Sequence, residues 1–248
     1  MNLLTIDVGN SRCKFCFGNM DEPMPIDLLA AIELDEIEER FSAFASFDQC
    51  VISSVNSEAS GRIRRILAQK VTANQLVFLN SKNSPLSLLI DSPETLGADR
   101  LAAAFAAFKR ANGAAIVVDS GTAVTVDRIN AGGGFEGGSI FPGVELAFQS
   151  LANHTDKLPR VALEPGLTPH TFGNDTKSAL QSGVFWSQVG AIERIVSNYR
   201  NELGDVPVYF TGGVGKPMCG ATELEGQFVE QLVLEGLWEF GRIRTLQT

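Results

Sequence analysis

The sequence predicts an α/β protein made of two similar domains, and two observations lead to that prediction. First, one strand–turn–strand pattern occurs twice. Residues 3–7 form a β-rich run that ends in Asp7 and precedes a turn and a second β-rich run, and residues 115–119 end in Asp119 in the same way. Second, the segments around these hairpins alternate helical and strand patterns, which is typical of packed α/β layers. A duplicated domain is the simplest interpretation.

The predicted first domain covers residues 1–112, and hydrophobic periodicity gives its elements in order. They are strands over 3–7 and 12–17, a helix over 33–44, a strand over 49–53, a helix over 57–70, a strand over 75–79, a loop over 85–93 and an Ala-rich helix over 94–109. Asn112-Gly113 is a typical helix stop signal, so the first domain is expected to end there.

The predicted second domain covers residues 113–248 and begins with the second hairpin. Its elements are strands over 115–119 and 124–127, a glycine-rich hairpin through 132–138, a helix over 143–151, a proline-containing loop, a helix over 175–203, a strand over 206–211 and a C-terminal helix. The strand over 206–211 runs into a glycine-rich turn that begins at Gly212.

Composition and charge exclude several classes of protein. The 248-residue chain is 44% hydrophobic and 20% charged, which allows a sizeable core and argues against disorder. Its net charge of −9 repels polyanions, so we expect no nucleic-acid partner. No apolar run approaches the roughly 18 residues of a spanning helix, and the first residues lack the basic start of a signal peptide. We therefore expect a cytoplasmic protein with no membrane partner.

Three other motifs are weaker than their patterns suggest. Cys13 and Cys16 form a C-x-x-C pair, but the surrounding residues read as a strand rather than a helix start, so redox chemistry is the less favoured interpretation. His154 and His170 have no Cys, Asp or His at metal-ligand spacing. The G-x-G-x-x-G pattern beginning at Gly132 precedes a strand-like segment, so it does not fit a Rossmann fold.

The duplicated hairpins indicate nucleotide chemistry. A tight turn containing Gly9 or Gly121 can direct successive backbone N–H groups at an anion, and Lys14 adds a positive charge. Asp7 ends its strand at the mouth of such a turn, where a carboxylate can hold Mg²⁺ directly or through water. The alternative is that both hairpins are ordinary turns in which Asp and Gly only satisfy the geometry. Two hairpins at matching positions favour a bound nucleotide.

A family resemblance rests on several segments taken together. In chain order they are Asp7-Val8-Gly9-Asn10-Ser11-Arg12-Cys13-Lys14, Gly97-Ala98-Asp99-Arg100, residues 118–127, residues 137–143, residues 173–176 and residues 181–183. In this order the segments resemble the motifs of the type III pantothenate kinases over nearly the whole chain. The first motif is shared with the wider superfamily of acetate and sugar kinases, Hsp70 and actin, whereas Gly-Ala-Asp-Arg is more specific.

The resemblance implies a fold and an activity. The fold would be two ribonuclease-H-like domains of the actin-like ATPase type, with the active site in the interdomain cleft. The activity would be ATP-dependent phosphorylation of pantothenate, the first step of coenzyme A synthesis, with Mg²⁺ accompanying ATP. The family also needs a monovalent cation, K⁺ or NH₄⁺, and usually forms homodimers.

The resemblance also assigns residues by position. Asp99 would be the general base, and Asp119 would hold the monovalent cation. Pantothenate would be bound by Gly97, Ala98, Asp99, Arg100 and Thr176. The residues expected to contact ATP are Asp7, Val8, Gly9, Asn10, Ser11, Arg12, Cys13, Lys14 and Thr122.

These assignments agree with the chemistry of the substrate. Pantothenate carries a carboxylate, which Arg100 can bind with two parallel hydrogen bonds. Its primary hydroxyl must attack the γ-phosphorus in line, and a positioned aspartate such as Asp99 can accept that proton. From the residues alone, an exposed charge pair on a helix is the alternative interpretation of Asp99 and Arg100.

The chain departs from the family at one notable position, because Ile90 stands where the family commonly has Tyr, seven residues before Gly97. Two other functions remain as alternatives. One is a regulatory homologue of the Bvg accessory factor type, which the retained Asp7, Asp99 and Asp119 argue against. The other is a different small-molecule kinase or phosphatase of the superfamily.

Overall fold

The computed structural model describes residues 1–9, 12–25, 30–33, 39, 47–69 and 75–245. The chain forms two compact units, one of residues 1–109 together with 231–248 and the other of residues 110–230. Within the described ranges, no helix is both long and apolar enough to span a bilayer.

The elements of the first unit come from both ends of the chain, and those of the second from the middle. The first unit contains β1 (Asn2–Val8), β2 (Arg12–Asn19), β3 (Ala30–Glu33), β4 (Gln49–Ser54), α1 (Ser57–Leu67), β5 (Leu76–Phe78), β6 (Ser87–Leu88), α2 (Ala98–Ala111) and the last helix, α6 (Leu232–Thr245). The second contains β7 (Ala115–Ser120), β8 (Ala123–Ile129), β9 (Gly134–Pro142), α3 (Val144–Asn153), α4 (Thr176–Leu203), β10 (Val208–Thr211), α5 (Gly215–Ala221) and β11 (Gln227–Phe228).

The two units share one sheet topology. The strand order is β3-β2-β1-β4-β5 in the first unit, and β9-β8-β7-β10-β11 in the second. In each unit the first three strands in sequence, β1–β3 or β7–β9, are antiparallel neighbours. The fourth strand, β4 or β10, pairs parallel with the first strand of its unit, and the fifth strand, β5 or β11, pairs parallel with the fourth. This is the duplicated ribonuclease-H-like fold of the actin-like ATPases, as the family resemblance implies.

In the first unit, β1 is covered on both faces. Leu4 and Ile6 belong to a core with Ile63 and Leu67 of α1, which begins at its N-cap Asn56. Alternate residues of a strand point to opposite faces, so Leu3 and Thr5 face the other side, where α6 packs. Asp7 lies on this second face, near the end of the strand.

In the second unit, the core lies between the sheet and α4. Val118, Val126 and Phe210 pack with Phe185 and Ile192 of that helix, and all five are fully or nearly fully buried. The helix is positioned by a capping box at Asp175, whose carboxylate accepts from the backbone N–H groups of its first turn.

Most predicted elements are confirmed, with shifted ends. The Ala-rich helix begins at Ala98 rather than residue 94, because residues 93–95 form a separate 3-10 turn. The predicted loop over 85–93 contains the short strand β6, and the sequence patterns did not predict β3, α5 or β11. Cys13 and Cys16 both lie on β2 with free thiols, as predicted. Apart from residues 33 and 39, the predicted helix over 33–44 lies outside the described residues; Glu33 ends β3.

The C-terminal helix differs most from the expected organisation. The predicted second domain ran to residue 248, whereas α6 belongs to the first unit. The reason is packing: a Cβ at Gly241 would meet the Leu3 side chain and Val51, which shows how closely the helix lies on β1 and β4. Trp238, 1% exposed, donates its indole N–H to the Glu22 carbonyl in the same unit.

Candidate active site

In the first unit, the fold places polar groups on both neighbours of Asp7. Asp7 pairs with Lys14 on the antiparallel strand β2 and with Ser53 on the parallel strand β4. Register partners project to the same face of a sheet, so all three side chains point the same way. Asp7 and Lys14 are half-buried, and Ser53 is fully buried.

The Asp7 carboxylate is held in an environment that disfavours its charge. Burial, together with the nearby negative charge of Asp99, raises its pKa from 3.8 to about 6. The Ser53 hydroxyl and the charge of Lys14 act in the opposite direction but do not cancel the increase. A carboxylate with a raised pKa, close to a second carboxylate, is typical of a site that binds a cation.

Asp99 is fixed at the start of α2. Its Oδ1 accepts a hydrogen bond from the backbone N–H of Arg100 at 2.8 Å, and the Leu101 N–H donates to the Gly97 carbonyl at 3.1 Å. A Cβ at Gly97 would collide with Asp99 Oδ1, so glycine is required for this side-chain position. Ala98 is buried beneath the turn, and Arg100 is half-buried in it.

The rest of the predicted first phosphate loop is only partly described. Val8 is buried in the core and Gly9 is half-buried, whereas Asn10 and Ser11 lie outside the described residues. Arg12 begins β2. Cys13 is fully buried, and burial together with the charge of Asp7 raises its pKa to about 12, so this thiol stays protonated and unreactive at neutral pH.

In the second unit, glycines surround the Asp119 carboxylate. Asp119 is the counterpart of Asp7, because it lies just before the end of β7 and pairs with Thr125 on β8 and Thr211 on β10. Gly212 follows β10 with a φ of 88°, and a Cβ there would collide with Asp119 Oδ1. A Cβ at Gly121 would lie 3.6 Å from the same oxygen.

The turn after Asp119 meets the start of a helix. Gly143, the residue before α3, donates its N–H to the Thr122 carbonyl at 2.9 Å. A Cβ at Gly143 would collide with the Gly121 carbonyl oxygen, so the helix approaches the turn as closely as glycine permits. The positive end of α3 therefore lies beside Thr122, which is exposed.

The donor groups of both units suit hard cations. Among the described residues, the buried hydroxyls of Ser53, Ser120 and Thr125 have no hydrogen-bond partner. Ser53 lies opposite Asp7, and Thr125 lies opposite Asp119, each on the same face of the sheet as the carboxylate. Ser120 follows Asp119 on β7, so its side chain points to the other face. Oxygen ligands of this kind fit Mg²⁺ or a large monovalent ion. Within the described ranges, no three His, Cys, Asp or Glu side chains gather, so such an ion would take other ligands from water or substrate.

Thr176 is the remaining predicted substrate residue. It is the first residue of α4 and is exposed. The preceding Asp175 accepts from the N–H groups of Lys177 at 2.8 Å and Ser178 at 3.1 Å, so the helix start is well fixed. Gly173 lies against this first turn, because a Cβ there would collide with the Ala179 backbone.

Sequence reasoning missed Ser53 and gave no role to Gly143. Ser53 ends the predicted strand over 49–53, and the carboxyl ends of adjacent parallel strands meet at one edge, so its position was a usable signal. Gly143 appeared only as part of a motif, since its role depends on a contact with residues 121 and 122 that no local pattern shows.

Comparison with known proteins shows the family of the chain. The family model described as type III pantothenate kinase matches residues 3–198. A type III pantothenate kinase of Caulobacter vibrioides is 37% identical over 204 residues, which cover 82% of this chain and 78% of that protein. A type III pantothenate kinase of Maricaulis maris is 36% identical, and the match covers 97% of each chain.

Solved structures show the same fold. A Campylobacter jejuni protein described as belonging to a Baf family of transcriptional activators superimposes with a TM-score of 0.67 over 98% of this chain and 99% of its own. It is 20% identical to this chain, so the likeness concerns the fold alone.

The raised pKa of Asp7 gives a prediction for stability. The folded state binds the Asp7 proton more tightly than the unfolded state does, so protonation of Asp7 stabilises the fold. This stabilisation is complete below pH 3.8 and is lost as the pH rises through about 6. For this group alone, the free energy of unfolding of the ligand-free protein should fall by about 1–1.5 kcal/mol between about pH 5 and about pH 8. Denaturant unfolding at both pH values measures this change.

Asp7→Asn removes the titrating group. The free energy of unfolding of this variant should therefore change less between the two pH values than that of the wild type, by the same amount of about 1–1.5 kcal/mol. Asp91→Asn, a change in an exposed loop of the same unit, is the matched control and should keep the wild-type dependence. Identical slopes for the wild type and Asp7→Asn would contradict the prediction.

Proposed function

The chain belongs to the type III pantothenate kinase family, and we propose that its phosphoryl transfer is carried out by Asp99 as the base, with Asp7 holding Mg²⁺. The reaction transfers the γ-phosphoryl group of ATP to the primary hydroxyl of pantothenate and forms 4′-phosphopantothenate, the first step of coenzyme A synthesis. The family match over residues 3–198 carries the activity. The proximity of Asp7 and Asp99 supports the division of roles.

Asp99 suits the role of base because of how it is held. Its Oδ1 is fixed by the Arg100 N–H at the start of α2, which leaves the second oxygen, Oδ2, to accept the proton of the substrate hydroxyl.

Arg100 and the helix start are proposed to bind the substrate carboxylate. Arg100 lies one residue after the base, so binding the carboxylate there would place the substrate chain next to Asp99. Gly97 and Ala98 contribute backbone to the same turn, and Thr176, exposed at the start of α4, is proposed to contact the substrate as well.

ATP is proposed to contact the loop of residues 7–14 and the turn at Thr122. Lys14 supplies positive charge beside Asp7, and the positive end of α3 supplies it beside Thr122. Mg²⁺ bound with ATP would neutralise phosphate charge during transfer. Asp7 would hold the ion directly or through water.

Asp119 is proposed to hold a monovalent cation. The oxygen-bearing groups that support this role include its own carboxylate and the buried hydroxyl of Thr125 on the neighbouring strand, and that hydroxyl has no hydrogen-bond partner among the described residues. Neutral oxygens around one carboxylate are suited to a large, singly charged ion such as K⁺ or NH₄⁺.

A homodimer is also proposed, and the segment before α4 supports it. In that segment Phe172 is 77% exposed and Leu167 is 49% exposed, which is unusual for large apolar side chains close together in sequence. The segment is held in place because the Trp186 indole N–H donates to the carbonyls of Pro169 and His170. A second copy of the chain would cover these side chains.

The roles of the two aspartates are separated by one substitution in each. Asp99→Asn keeps the size of the side chain but removes the proton acceptor, so kcat should fall by roughly 10²–10⁴ while the affinity for ATP changes little. A loose transition state needs little help from a base, which places the effect toward the lower end. Asp7→Asn should instead weaken catalysis in a way that excess Mg²⁺ partly relieves.

Steady-state kinetics at several Mg²⁺ concentrations measure both effects, with Asp91→Asn as the control that should behave as the wild type. If Asp99→Asn turned over at the wild-type kcat, Asp99 would not be the base.

The cation proposal predicts that turnover depends on K⁺ or NH₄⁺ as well as Mg²⁺. In buffer containing Na⁺ as the only monovalent cation, the rate should fall roughly tenfold or more, and Asp119→Asn should raise the K⁺ concentration required for half-maximal rate, because it removes the charged ligand. A titration of the rate with KCl at constant ionic strength measures both. Full turnover without K⁺ or NH₄⁺ would reject the proposal.

The dimer proposal predicts a mass in solution of twice 26.6 kDa at working concentration. Phe172→Ser should shift the equilibrium toward the monomer, because it removes exposed apolar area that the contact would bury. Light scattering over a dilution series measures the mass. The control is Val55→Ser, because Val55 is an apolar residue of the first unit whose side chain is also exposed, at 43%. A fully active monomer would disprove the proposal.

A further inference from the structure

Ser53 is a buried polar residue to which the reaction described so far gives no role. It lies on β4 directly opposite Asp7 on β1, and its side chain is 0% exposed. Its hydroxyl makes no well-formed hydrogen bond among the described residues, yet it lies close enough to the Asp7 carboxylate to lower the pKa of that group as a hydrogen-bond donor does. A buried hydroxyl without a well-formed hydrogen bond loses its hydration and gains little in return.

The surroundings of Ser53 do not explain the hydroxyl. Val51, two residues earlier on the same face of β4, is apolar and fully buried against α6. An alanine at position 53 would continue that apolar face without the desolvation penalty. A packing role therefore gives no reason for the hydroxyl.

The second unit contains the same arrangement with one difference. Thr211 on β10 lies opposite Asp119 on β7, as Ser53 lies opposite Asp7, and it is 3% exposed. The Thr211 hydroxyl, however, donates to the Glu230 carbonyl at 3.5 Å. The hydroxyl of the first unit therefore remains available to the carboxylate it faces, whereas that of the second unit is engaged elsewhere.

We propose that Ser53 is a positioning residue of the phosphoryl-transfer site, whose hydroxyl donates to one oxygen of Asp7 when the nucleotide is bound and so directs the other oxygen toward Mg²⁺. The proposal rests on the proposed role of Asp7. A donor on one carboxylate oxygen restricts rotation of the group, and it stabilises the ionised form that a metal ion requires. Ser53 itself touches neither the substrate nor the ion.

The test measures Mg²⁺ affinity without turnover. ADP raises the melting temperature of a kinase that binds it, and the Mg²⁺ concentration giving half of that rise reports the ion's affinity in the complex. For Ser53→Ala this midpoint should increase at least about fivefold, because a hydrogen bond to a charged group is lost. At saturating Mg²⁺, kcat should return to within about threefold of the wild type.

Two further variants separate positioning from packing. Ser53→Thr keeps the hydroxyl, and threonine occupies the equivalent place in the second unit, so its Mg²⁺ midpoint should remain close to that of the wild type. Thr5→Val removes a fully buried hydroxyl from the same face of β1, two residues from Asp7, and should leave the midpoint unchanged. An unchanged midpoint in Ser53→Ala, or an equal shift in Thr5→Val, would overturn the proposal.

Combining Ser53→Ala with Asp7→Asn distinguishes this proposal from the one it rests on. If Ser53 acts through Asp7, Ser53→Ala should add little to the shift already caused by Asp7→Asn. Shifts that add fully would overturn the positioning role while leaving Asp7 as the metal-binding residue. No shift in Asp7→Asn itself would instead reject the role of Asp7.

Discussion

Asp7 carries its carboxylate near the end of a central strand that is covered on both faces, and a second carboxylate, Asp99, lies nearby. Neither burial nor a like charge favours ionisation, which is why the pKa of Asp7 rises to about 6. At neutral pH the ligand-free site therefore contains a carboxylate that is ionised at a cost in free energy. A cation removes that cost, so the same residues that destabilise the empty site favour binding of the metal that a kinase needs.

The duplication explains how one topology supports two different chemistries. Asp7 and Asp119 occupy equivalent places, but the antiparallel neighbour is Lys14 in one unit and Thr125 in the other. A lysine beside the carboxylate supplies a positive charge suited to phosphate, whereas a threonine supplies a neutral oxygen suited to a cation. One substitution at a register position is therefore enough to give the two hairpins the different roles we propose for them.

Features set by neighbouring residues could be predicted from the sequence, and features set by long-range packing could not. The hairpins, the start of α2 near Asp99 and the position of α4 follow from local periodicity, turn residues and capping. The pairing of Ser53 with Asp7 depends on the register between strands more than forty residues apart. The 3-10 turn over residues 93–95 shortened the predicted helix, because Pro at the first position fits either kind of helix start.

The last helix shows why such long-range packing matters for the site. An apolar helix face does not specify which sheet it covers, so the sequence placed residues 232–245 with the nearer domain. In the structure, α6 lies on β1, and Gly236 comes so close to the Ala102 carbonyl of α2 that a Cβ would collide with it. These two contacts connect the strand that ends in Asp7 with the helix that begins beside Asp99. The relative position of the two carboxylates is thus maintained by a segment more than a hundred residues away from both.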